Sequence, residues 1–402
     1  MSSEGGQWPL EPLGSLCRVN SGMTPSRTAG ARYFTHQGIP WVKTLDLNEG
    51  SLEATDESLT EVAVAETGAR IYPAQSVLLA MYGGWQQIGR TSILAVPAAV
   101  NQAISVLETG AQLDPRYLLL ALQHSRPQWS RHAASTRKDP NITKSDVLEF
   151  GVRVPPMRVQ QRIVEVIDSV SELERGIEAS IAKLRVMRSA VTDAMLAGIE
   201  WDCPLPDALA GPIRNGFSPV ESVAWTGVQM LGLGCLTPSG FAPAQLKNAP
   251  PSVTAAHGAI LEDGDLLMSR ANTRELVGLV GVYRDVGTPC IYPDLMMRMR
   301  PSGRCSAPFL AAVLTSSRAR RRIRSMSQGT SESMVKISAG AVREIRVPLP
   351  SLPVQEHVLA AIDSVTEQLN VEVGELAKFR NLKQGLVDQL LSGRVAASSA
   401  MA

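Results

Sequence analysis

The side chains in this sequence that could do chemistry are hydrogen-bond donors and cations, gathered around two short loops and the basic stretches that follow them. The first loop, Tyr82–Gln87, contains two glycines, and the later stretch Arg126–Lys144 holds five basic residues and one acidic residue. The second loop, Ala271–Leu276, is followed by Arg318–Arg324, in which five of seven residues are arginine. Such side chains form hydrogen bonds to phosphate oxygens and to base edges. The chemistry that they predict is nucleic-acid binding.

The candidate DNA-contacting residues are polar or basic and lie in these loops, in the basic stretches or in the runs beside them. In the first half of the chain they are Lys43, Tyr82, Gln86, Arg90, Arg126, Arg137 and Lys138. In the second half they are Arg270, Asn272, Arg274, Arg321, Arg322, Gln328 and Lys336.

A basic run can also be no more than the solvated face of a helix, and three features favour nucleic acid over that alternative. At a constant offset of 195 residues Arg126 faces Arg321, so both halves are basic at the same place. Both runs lead into polar loops, and the hairpin tips are rich in Arg, Asn, Gln and Ser. Aromatic residues make up only 4% of the chain, too few for the stacking platform that single strands use. The predicted ligand is therefore double-stranded DNA.

No motif in the sequence predicts catalysis, a cofactor or a metal site. A G-x-x-x-x-G-K-[ST] phosphate loop, a G-x-G-x-x-G motif after a strand and the D/N-P-P-aromatic motif of amino-methyltransferases are all missing. The five histidines are far apart and form no H-E-x-x-H motif. The sequence predicts a binding protein that is not an enzyme and carries no cofactor of its own.

The two loops need a scaffold that positions them, and the sequence contains one that occurs twice. A stretch from about Pro155 to Gly198 begins PPMRVQQRIVEVIDSV, and a second copy begins PSLPVQEHVLAAIDSV. From Ile142 and Ile337 to Gly198 and Gly393, matched positions differ by 195 without a gap. An ungapped match of this kind indicates internal duplication.

Each copy predicts a helix with a heptad seam, the spacing that holds one helix against another. The first predicted seam contains Ile163, Val166, Val170, Leu173, Ile177, Leu184, Met187 and Val191. The second contains Val358, Ile362, Val365, Leu369, Val373, Leu376, Phe379, Leu382, Leu386 and Leu390. Some forty residues of helix span about 60 Å, which favours two helices pairing antiparallel as a rod over each packing on its own domain.

Composition sets the wider frame. A length of 402 residues accommodates two domains. Net charge is only +1, but residues 201–350 hold 16 Lys and Arg against 11 Asp and Glu. The five cysteines form no C-x-x-C pair, no apolar run is as long as a membrane span and no signal peptide is apparent at the start, so a reducing cytoplasm is expected.

The lobes before each helix share a weaker repeat. Strands are predicted at Ile39–Leu45, and at Ser76–Met81 and Ile88–Leu94, the last two forming a hairpin. Gly264–Arg270 and Val277–Tyr283 predict the equivalent hairpin, and helices are predicted from Asp114-Pro115 and from Pro308. The first lobe has Ala74-Gln75-Ser76 where the second has Gly264-Asp265, and it is slightly acidic overall.

Over nearly its whole length the chain resembles the specificity (S) subunit of type I restriction–modification enzymes. The resemblance rests on Val154–Ile163 and its copy Val347–Val358, on the hairpin ends Ile88-Gly89 and Val277-Gly278, and on the closing blocks Met195–Gly198 and Leu390–Gly393. It implies an α+β fold with a pseudo-twofold internal repeat: two α/β target-recognition domains, separated by two long helices that form an antiparallel coiled coil. The corresponding boundaries are 1–154 and 200–349 for the recognition domains, 155–199 and 350–394 for the helices, and 395–402 for a flexible tail.

The resemblance also implies a function. Each domain would recognise one half of a split, asymmetric DNA target, and the helices would set the unread gap. Two modification (methyltransferase) subunits would supply S-adenosylmethionine and adenine methylation, and restriction subunits would supply ATP-driven translocation and cleavage. No membrane is implied. Two alternatives stay open: an assembly scaffold without sequence-specific DNA binding, and, disfavoured by the missing motifs, a stand-alone nuclease or methylase.

Overall fold

The chain forms two compact units, each built from one lobe and half of each long helix. The computed structural model describes residues 8–132, 141–331 and 334–393. Unit 1 contains the residues up to Ile177 and those from Leu376 onward, and unit 2 contains Glu178–Glu375. Among the described residues, no helix is long and apolar enough to cross a membrane.

Lobe 1, the part of unit 1 before the first long helix, contains two five-stranded sheets. The first contains, in spatial order, Cys17–Ser21, Ile104–Thr109, Val77–Ala80, Thr91–Leu94 and Ser51–Leu52. The second contains Phe34–Thr35, Ser58–Leu59, Ile39–Val42, Ala98–Val100 and Ile71–Tyr72. The α-helices of lobe 1 are Leu13–Leu16, Glu61–Thr67, Pro115–His124, Trp129–His132 and Lys144–Glu149. The 3-10 helices are Arg27–Arg32, Thr44–Asp46 and Arg126–Gln128.

Lobe 2, which follows the first long helix, repeats the main sheet. Its four strands are, in spatial order, Arg214–Asn215, Met296–Met299, Leu266–Ser269 and Val280–Val282. The smaller sheets are Leu246–Asn248 with Gln229–Leu231 and Cys290–Ile291; Leu236–Thr237 with Gly240–Phe241; and Ala271–Asn272 with Met334–Lys336 and Gln328–Ser331. The helices are Leu205–Ala208 and Leu233–Cys235, both 3-10, and the α-helices Ala307–Thr315, Ser317–Met326 and Ala339–Arg343.

The predicted hairpins are confirmed in both lobes. Hairpin 1 is the antiparallel pair Val77–Ala80 and Thr91–Leu94, and hairpin 2 is the antiparallel pair Leu266–Ser269 and Val280–Val282. Three of these four strands are buried at every position, as continuous apolar strands covered on both faces are. The hairpins therefore start from the core of each lobe, and their loops project from it.

In each lobe, a short strand near its start pairs with a short strand near its end. Leu10–Pro12 pairs antiparallel with Gly151–Arg153, and Cys203–Pro204 pairs antiparallel with Arg346–Val347. The long helices begin shortly after these closing strands, at Met157 and Leu352.

A buried glutamine ties each long helix to its lobe. Gln160 donates its Nε2 to the carbonyls of Gln112 and Pro155, both at 2.8 Å, and its Oε1 accepts from the backbone N of Asp114 at 2.8 Å. Asp114 is the N-cap of Pro115–His124, as predicted. The second lobe repeats this arrangement, which we call the glutamine clasp.

In the second clasp, Gln355 donates to the carbonyls of Arg304 at 2.8 Å and Pro350 at 2.9 Å, and it accepts from the backbone N of Ser306 at 2.9 Å. Ser306 caps the helix Ala307–Thr315. Both glutamine side chains are fully buried with oxygen and nitrogen satisfied, as buried amides must be. The clasp explains why this glutamine is common to both copies of the repeat.

The two long helices, Met157–Leu196 and Leu352–Ser392, pair antiparallel within each unit, as predicted. In unit 1 the carboxylate of Glu174 accepts from Arg380 Nε at 2.8 Å and from Lys383 Nζ at 2.7 Å. In unit 2 Ser180 Oγ donates to Glu372 at 3.3 Å. The early part of the first helix thus packs on the late part of the second, and the reverse holds in unit 2.

The predicted seam is partly wrong. Leu173, Met187, Val373 and Leu382 were expected in the contact and are 61%, 41%, 43% and 72% exposed. The less exposed stripe instead passes through their neighbours Glu174, Arg188, Glu372 and Lys383. Ile163, Val170, Ile177, Leu184 and Val191 keep their predicted seam positions. The error arises because the sequence pattern selects apolar residues, whereas several layers of this pair are polar.

The predicted functional domains and the compact units divide the chain differently. The predicted boundaries separate lobes from helices, whereas the compact units each combine a lobe with parts of both helices. The functional boundaries stay a prediction.

Replacing Glu174 by glutamine is expected to destabilise unit 1, because Arg380 and Lys383 lose the carboxylate that they share. The side chain of Glu174 is only 16% exposed. Hydrogen bonds to charged groups contribute about 1.5–3 kcal/mol where buried, and the half-exposed Arg380 reduces this to about 1–2 kcal/mol here. The measurement is the midpoint of urea unfolding. The matched control is Glu172→Gln, because Glu172 is 74% exposed and lies 3.9 Å from Arg175; it should have almost no effect.

The pH dependence of the stability difference between wild type and Glu174→Gln is a second test of the interaction of Glu174 with Arg380 and Lys383. Hydrogen bonds from Lys383 and Arg380 hold the pKa of Glu174 below its usual range. A depressed pKa stabilises the fold above the unfolded-state pKa, and the contribution is lost as the pH falls through the folded-state pKa. The difference in free energy of unfolding between wild type and Glu174→Gln should be at its full value at neutral pH and should decrease below about pH 4. An equal difference in free energy of unfolding at pH 7 and pH 3 would contradict a stabilising role of the Glu174 carboxylate.

Candidate nucleic-acid interface

The loop of hairpin 1 exposes the two predicted candidates Tyr82 and Gln86, and also Trp85, which was not predicted. Tyr82 and Trp85 are 42% and 60% exposed, and Gln86 is exposed as well. Backbone N–H groups of Gln87 and Ile88 both donate to the Gly84 carbonyl at 3.0 Å, which closes the turn. Tyr82 and Gln86 therefore lie on a defined, solvent-facing tip.

The loop of hairpin 2 has a different conformation and adds a strand to a small sheet. Ala271–Asn272 pairs antiparallel with Met334–Lys336, which pairs in turn with Gln328–Ser331. Gln328 and Lys336 are directly opposite each other and both are exposed. The structure therefore brings Asn272, Gln328 and Lys336, separated by up to 64 residues in the sequence, into one small sheet.

Arg270 and Arg274 lie on either side of the strand Ala271–Asn272. The backbone N of Arg270 donates to Leu295 O at 2.7 Å, and its carbonyl accepts from Ile337 N at 2.9 Å, so the backbone here is fixed from both sides. Its side chain is half-buried, whereas Arg274 is exposed in the turn Thr273–Leu276.

The basic run of lobe 2 is an amphipathic helix, Ser317–Met326, capped by Ser316. Ala319 and Ile323, four residues apart, are buried, while Arg321 and Arg322 are exposed. Within the described part of the chain, neither of these two guanidinium groups has an ion-pair or hydrogen-bond partner. The helix ends at Met326, two residues before the strand that begins at Gln328, so the basic helix leads directly into the small sheet.

Arg126 is structurally equivalent to Arg320, and the expected match of Arg126 with Arg321 is wrong. Arg126 donates from Nη2 to Gln86 O at 2.7 Å and from Nε to Ile88 O at 3.3 Å. Arg320 donates from Nη2 to Glu275 O and from Nη1 to Val277 O, both at 2.7 Å. Gln86 and Ile88 lie 189 residues before Glu275 and Val277, so the offset of 195 that holds in the long helices does not hold here.

Both arginines have further partners. Nη1 of Arg126 donates to the carboxylate of Glu49, and Arg324 also donates to Glu275 O, at 3.2 Å. Burial, with a smaller contribution from Arg324, lowers the pKa of Arg320 to about 10, so its guanidinium stays charged at neutral pH. Neither arginine was selected from sequence for binding backbone carbonyls, because an arginine in a basic run gives no local sign of such a distant partner.

The remaining candidates of lobe 1 are less clearly grouped. Lys43 follows a strand of the second sheet, and its Nζ lies 3.7 Å from Glu57. Arg90 donates to the side chain of Gln87 at 3.2 Å beneath the hairpin tip. Arg137 and Lys138 lie outside the described residues. No contact with DNA has been tested for any of the candidates, and their roles stay predictions.

The difference between Gln75-Ser76 and Gly264-Asp265 leaves the turn unchanged. Gln75 has φ of 69° where Gly264 has 89°. Ser76 donates to Pro73 O at 2.8 Å, and Asp265 accepts from Glu262 N at 2.9 Å, so each side chain closes the same turn. Asp265 also accepts from Arg300 Nε at 2.7 Å, an ion pair that the sequence reasoning missed.

Comparison with known proteins gives a family match for the first part of the chain. A family model for the type I restriction modification DNA specificity domain matches residues 6–183. The specificity subunit of the Escherichia coli type I restriction enzyme EcoR124I/EcoR124II is 22% identical over 185 residues, which are 46% of this chain and 46% of that protein. The MjaIX specificity subunit of Methanocaldococcus jannaschii is 19% identical over 192 residues, 48% of this chain and 44% of that protein. The chain thus spans less than half the length of the curated relatives that it matches.

A solved structure extends the likeness to the whole fold. It comes from work on complex assembly and conformational transition of the type I R-M system, and it matches 98% of this chain and 100% of its own with a TM-score of 0.61 at 16% identity. At this identity the likeness concerns the fold. Together with the family match, it confirms the resemblance to specificity subunits and the α+β fold with two repeated lobes and two long helices.

We predict that Arg322→Ala weakens binding to any DNA duplex by a similar factor. An exposed arginine without a protein partner is suited to a phosphate, and such contacts carry no sequence information. Loss of one phosphate contact lowers the slope of log affinity against log salt by about 0.9. The matched control is Arg284→Ala, because Arg284 is exposed but lies 3.1 Å from Asp263. Fluorescence anisotropy over a salt series measures both; a loss confined to one DNA sequence would contradict the phosphate role.

Proposed function

We propose that this chain is a specificity subunit of a type I restriction–modification system and recognises a bipartite, asymmetric DNA target; the family match of residues 6–183 and the likeness of the fold support this. Each lobe reads one half of the target, residues 1–154 forming one recognition domain and residues 200–349 the other. The paired helices, residues 155–199 and 350–394, set the length of the unread gap. Recognition of duplex DNA directs the chemistry of partner subunits.

The observation that carries this proposal is a repeated scaffold with unlike loops. Both lobes build a hairpin on the same buried sheet order and hold it with an equivalent arginine. The loops differ: Tyr82 and Gln86 form the tip of hairpin 1, whereas Asn272 enters a small sheet in lobe 2. A shared scaffold with different hydrogen-bonding groups is what two readers of different half-sites require, since base-edge contacts specify the sequence.

Catalysis is assigned to partners. We propose two modification subunits, which bind S-adenosylmethionine and methylate adenine, and restriction subunits, which translocate and cleave DNA using ATP. The specificity subunit contributes target choice and no reacting group. We infer a cytoplasmic setting, because all five cysteines are free thiols, as is usual in a reducing compartment.

The competing function is an assembly scaffold whose basic helices are only solvated faces. The exposed Arg321 and Arg322 fit that function equally well, because charge alone does not specify sequence. The two functions differ in whether exchange of a lobe changes the DNA target.

Exchanging residues 200–349 for the second lobe of another specificity subunit is expected to change one half of the methylated sequence and leave the other half and the gap unchanged. The chimera is produced with its modification partner, and the methylated sites of the cell's DNA are sequenced. The reciprocal exchange of residues 1–154 is the matched control and should change the other half. A change in both halves would show that the lobes do not read independently, and sites that ignore the exchange would favour the scaffold.

Adding one heptad to each long helix is expected to widen the gap. Seven residues lengthen each helix by about 10 Å, and B-DNA rises about 3.4 Å per base pair, so the gap should grow by about three base pairs. A whole heptad keeps the stripe through Glu174 and Lys383 in phase. Three base pairs also rotate one half-site by about a quarter turn, so we expect affinity to fall while the half-sites stay the same.

The control for this change is an insertion of five residues in each helix, which rotates the stripe by about 140° away from its partner and should abolish specific methylation. The measurement is again the sequence of methylated sites. Persistence of the original gap in the heptad variant would mean that the helices do not set the spacing.

A further inference from the structure

We propose that Arg126 and Arg320 are positioning residues: each holds the loop of its hairpin by two backbone carbonyls and thereby sets the sequence discrimination of its lobe, without itself touching DNA. The inference rests on the proposed function for its DNA readout, while the anchoring can be measured without DNA.

The first support is that the same two carbonyls are bound in each lobe. Arg126 binds the carbonyls of Gln86 and Ile88, and Arg320 binds those of Glu275 and Val277. In both loops these carbonyls belong to residues two positions apart, and the second of the two residues immediately precedes a glycine. The two lobes share few side chains in these loops, so the common feature is the backbone position and not a base-reading group.

The second support is that each guanidinium group already donates hydrogen bonds to protein oxygens. In Arg126, Nε and both Nη atoms donate to protein oxygens, including the Glu49 carboxylate. In Arg320 both Nη atoms donate to the loop. A guanidinium has five N–H donors in a rigid fork, and here the fork points at the loop backbone. A base edge or phosphate would have to compete with these partners.

The third support is close packing at the same glycine. A Cβ at Gly89 would lie 2.6 Å from Trp129 Cδ1, and one at Gly278 would lie 2.4 Å from Ile323 Cγ2. Trp129 and Ile323 each follow the anchoring arginine by three residues, and φ is 73° at Gly89 and 69° at Gly278, where a glycine is favoured. Each loop thus lies directly against the segment that carries its arginine.

Together these contacts restrict the groups that would meet DNA. Gln86 is both an anchored residue and a candidate base reader, and Arg274 directly precedes the anchored Glu275. Recognition groups lose most of their effect when displaced by more than about 0.5 Å. Loss of the two carbonyl bonds would let the loop sample other conformations, and contacts with the correct bases would weaken more than contacts with phosphates.

The test uses Arg320→Lys and Arg126→Lys, which keep the charge but replace the planar fork by an ammonium, whose donors all lie on one nitrogen and do not match two carbonyls that separate guanidinium nitrogens bind. The full chain, assembled with its modification subunits, is presented with a randomised duplex pool and the bound DNA is sequenced. We expect Arg320→Lys to lower enrichment of the preferred bases about tenfold in one half-site only, and Arg126→Lys to do so in the other. Affinity for random duplex and its salt slope should stay unchanged.

Arg284→Lys is the matched control, since Arg284 is in the same lobe, is exposed and lies 3.1 Å from Asp263; it should leave enrichment unchanged. Loss of enrichment in both half-sites, or an Arg320→Gln variant whose salt slope falls by about 0.9 as for a phosphate contact, would overturn the proposal.

Hydrogen exchange of the free chain separates this inference from the proposed function. In Arg320→Lys the amides of Leu276, Val277 and Gly278 should exchange about tenfold faster, while those of the neighbouring helix Ala307–Thr315 keep their protection and show that the lobe is folded. Unchanged hydrogen exchange at these loop amides would overturn the proposal that Arg320 holds the loop. Faster hydrogen exchange of these amides with an unchanged base preference would overturn only the role of Arg320 in sequence discrimination. A wild-type complex without any base preference would overturn the proposed function, and the role in discrimination with it.

Discussion

The buried glutamine at the start of each long helix is the interaction on which the arrangement within each unit depends. Gln160 and Gln355 join three chain segments through the same three hydrogen bonds: the turn before the long helix, the segment before the lobe helix and the N-cap of that helix. An unpaired amide in a buried position is costly, so only this geometry satisfies it. The start of the helix and the core of the lobe are therefore positioned together.

The two lobes share a scaffold but differ in their loops, and one physical arrangement accounts for both facts. The sheet order, the closing strands, the clasp and the arginine anchor recur in both lobes, and all act on backbone or on buried groups. Because the anchors bind carbonyl oxygens, they do not restrict which side chains the loops display. A loop can therefore change the side chains that it exposes without loss of its support.

The helix pair is held by more than apolar contact. Glu174 with Arg380 and Lys383 forms a charged layer in unit 1, whereas the equivalent position in the repeat, Leu369, is a buried apolar side chain in unit 2. Charged groups in a seam tolerate fewer alternative alignments than leucine does. The two copies of the helix, nearly alike in sequence pattern, are thus distinguished by the polar residues between their apolar ones.

The sequence by itself determined the duplication, the two hairpins and the antiparallel helices, because these follow from apolar periodicity, turn residues and a constant offset. The α+β class came from the resemblance to a known family. The sequence also placed Ile163 and Leu390 correctly in the seam. Only the tertiary structure decided that Glu174 and not Leu173 faces the partner helix, and that Arg320 and not Arg321 is the counterpart of Arg126. In each case a polar side chain is directed by a partner distant in sequence, and local pattern carries no information about which distant oxygen or cation will come within hydrogen-bonding distance.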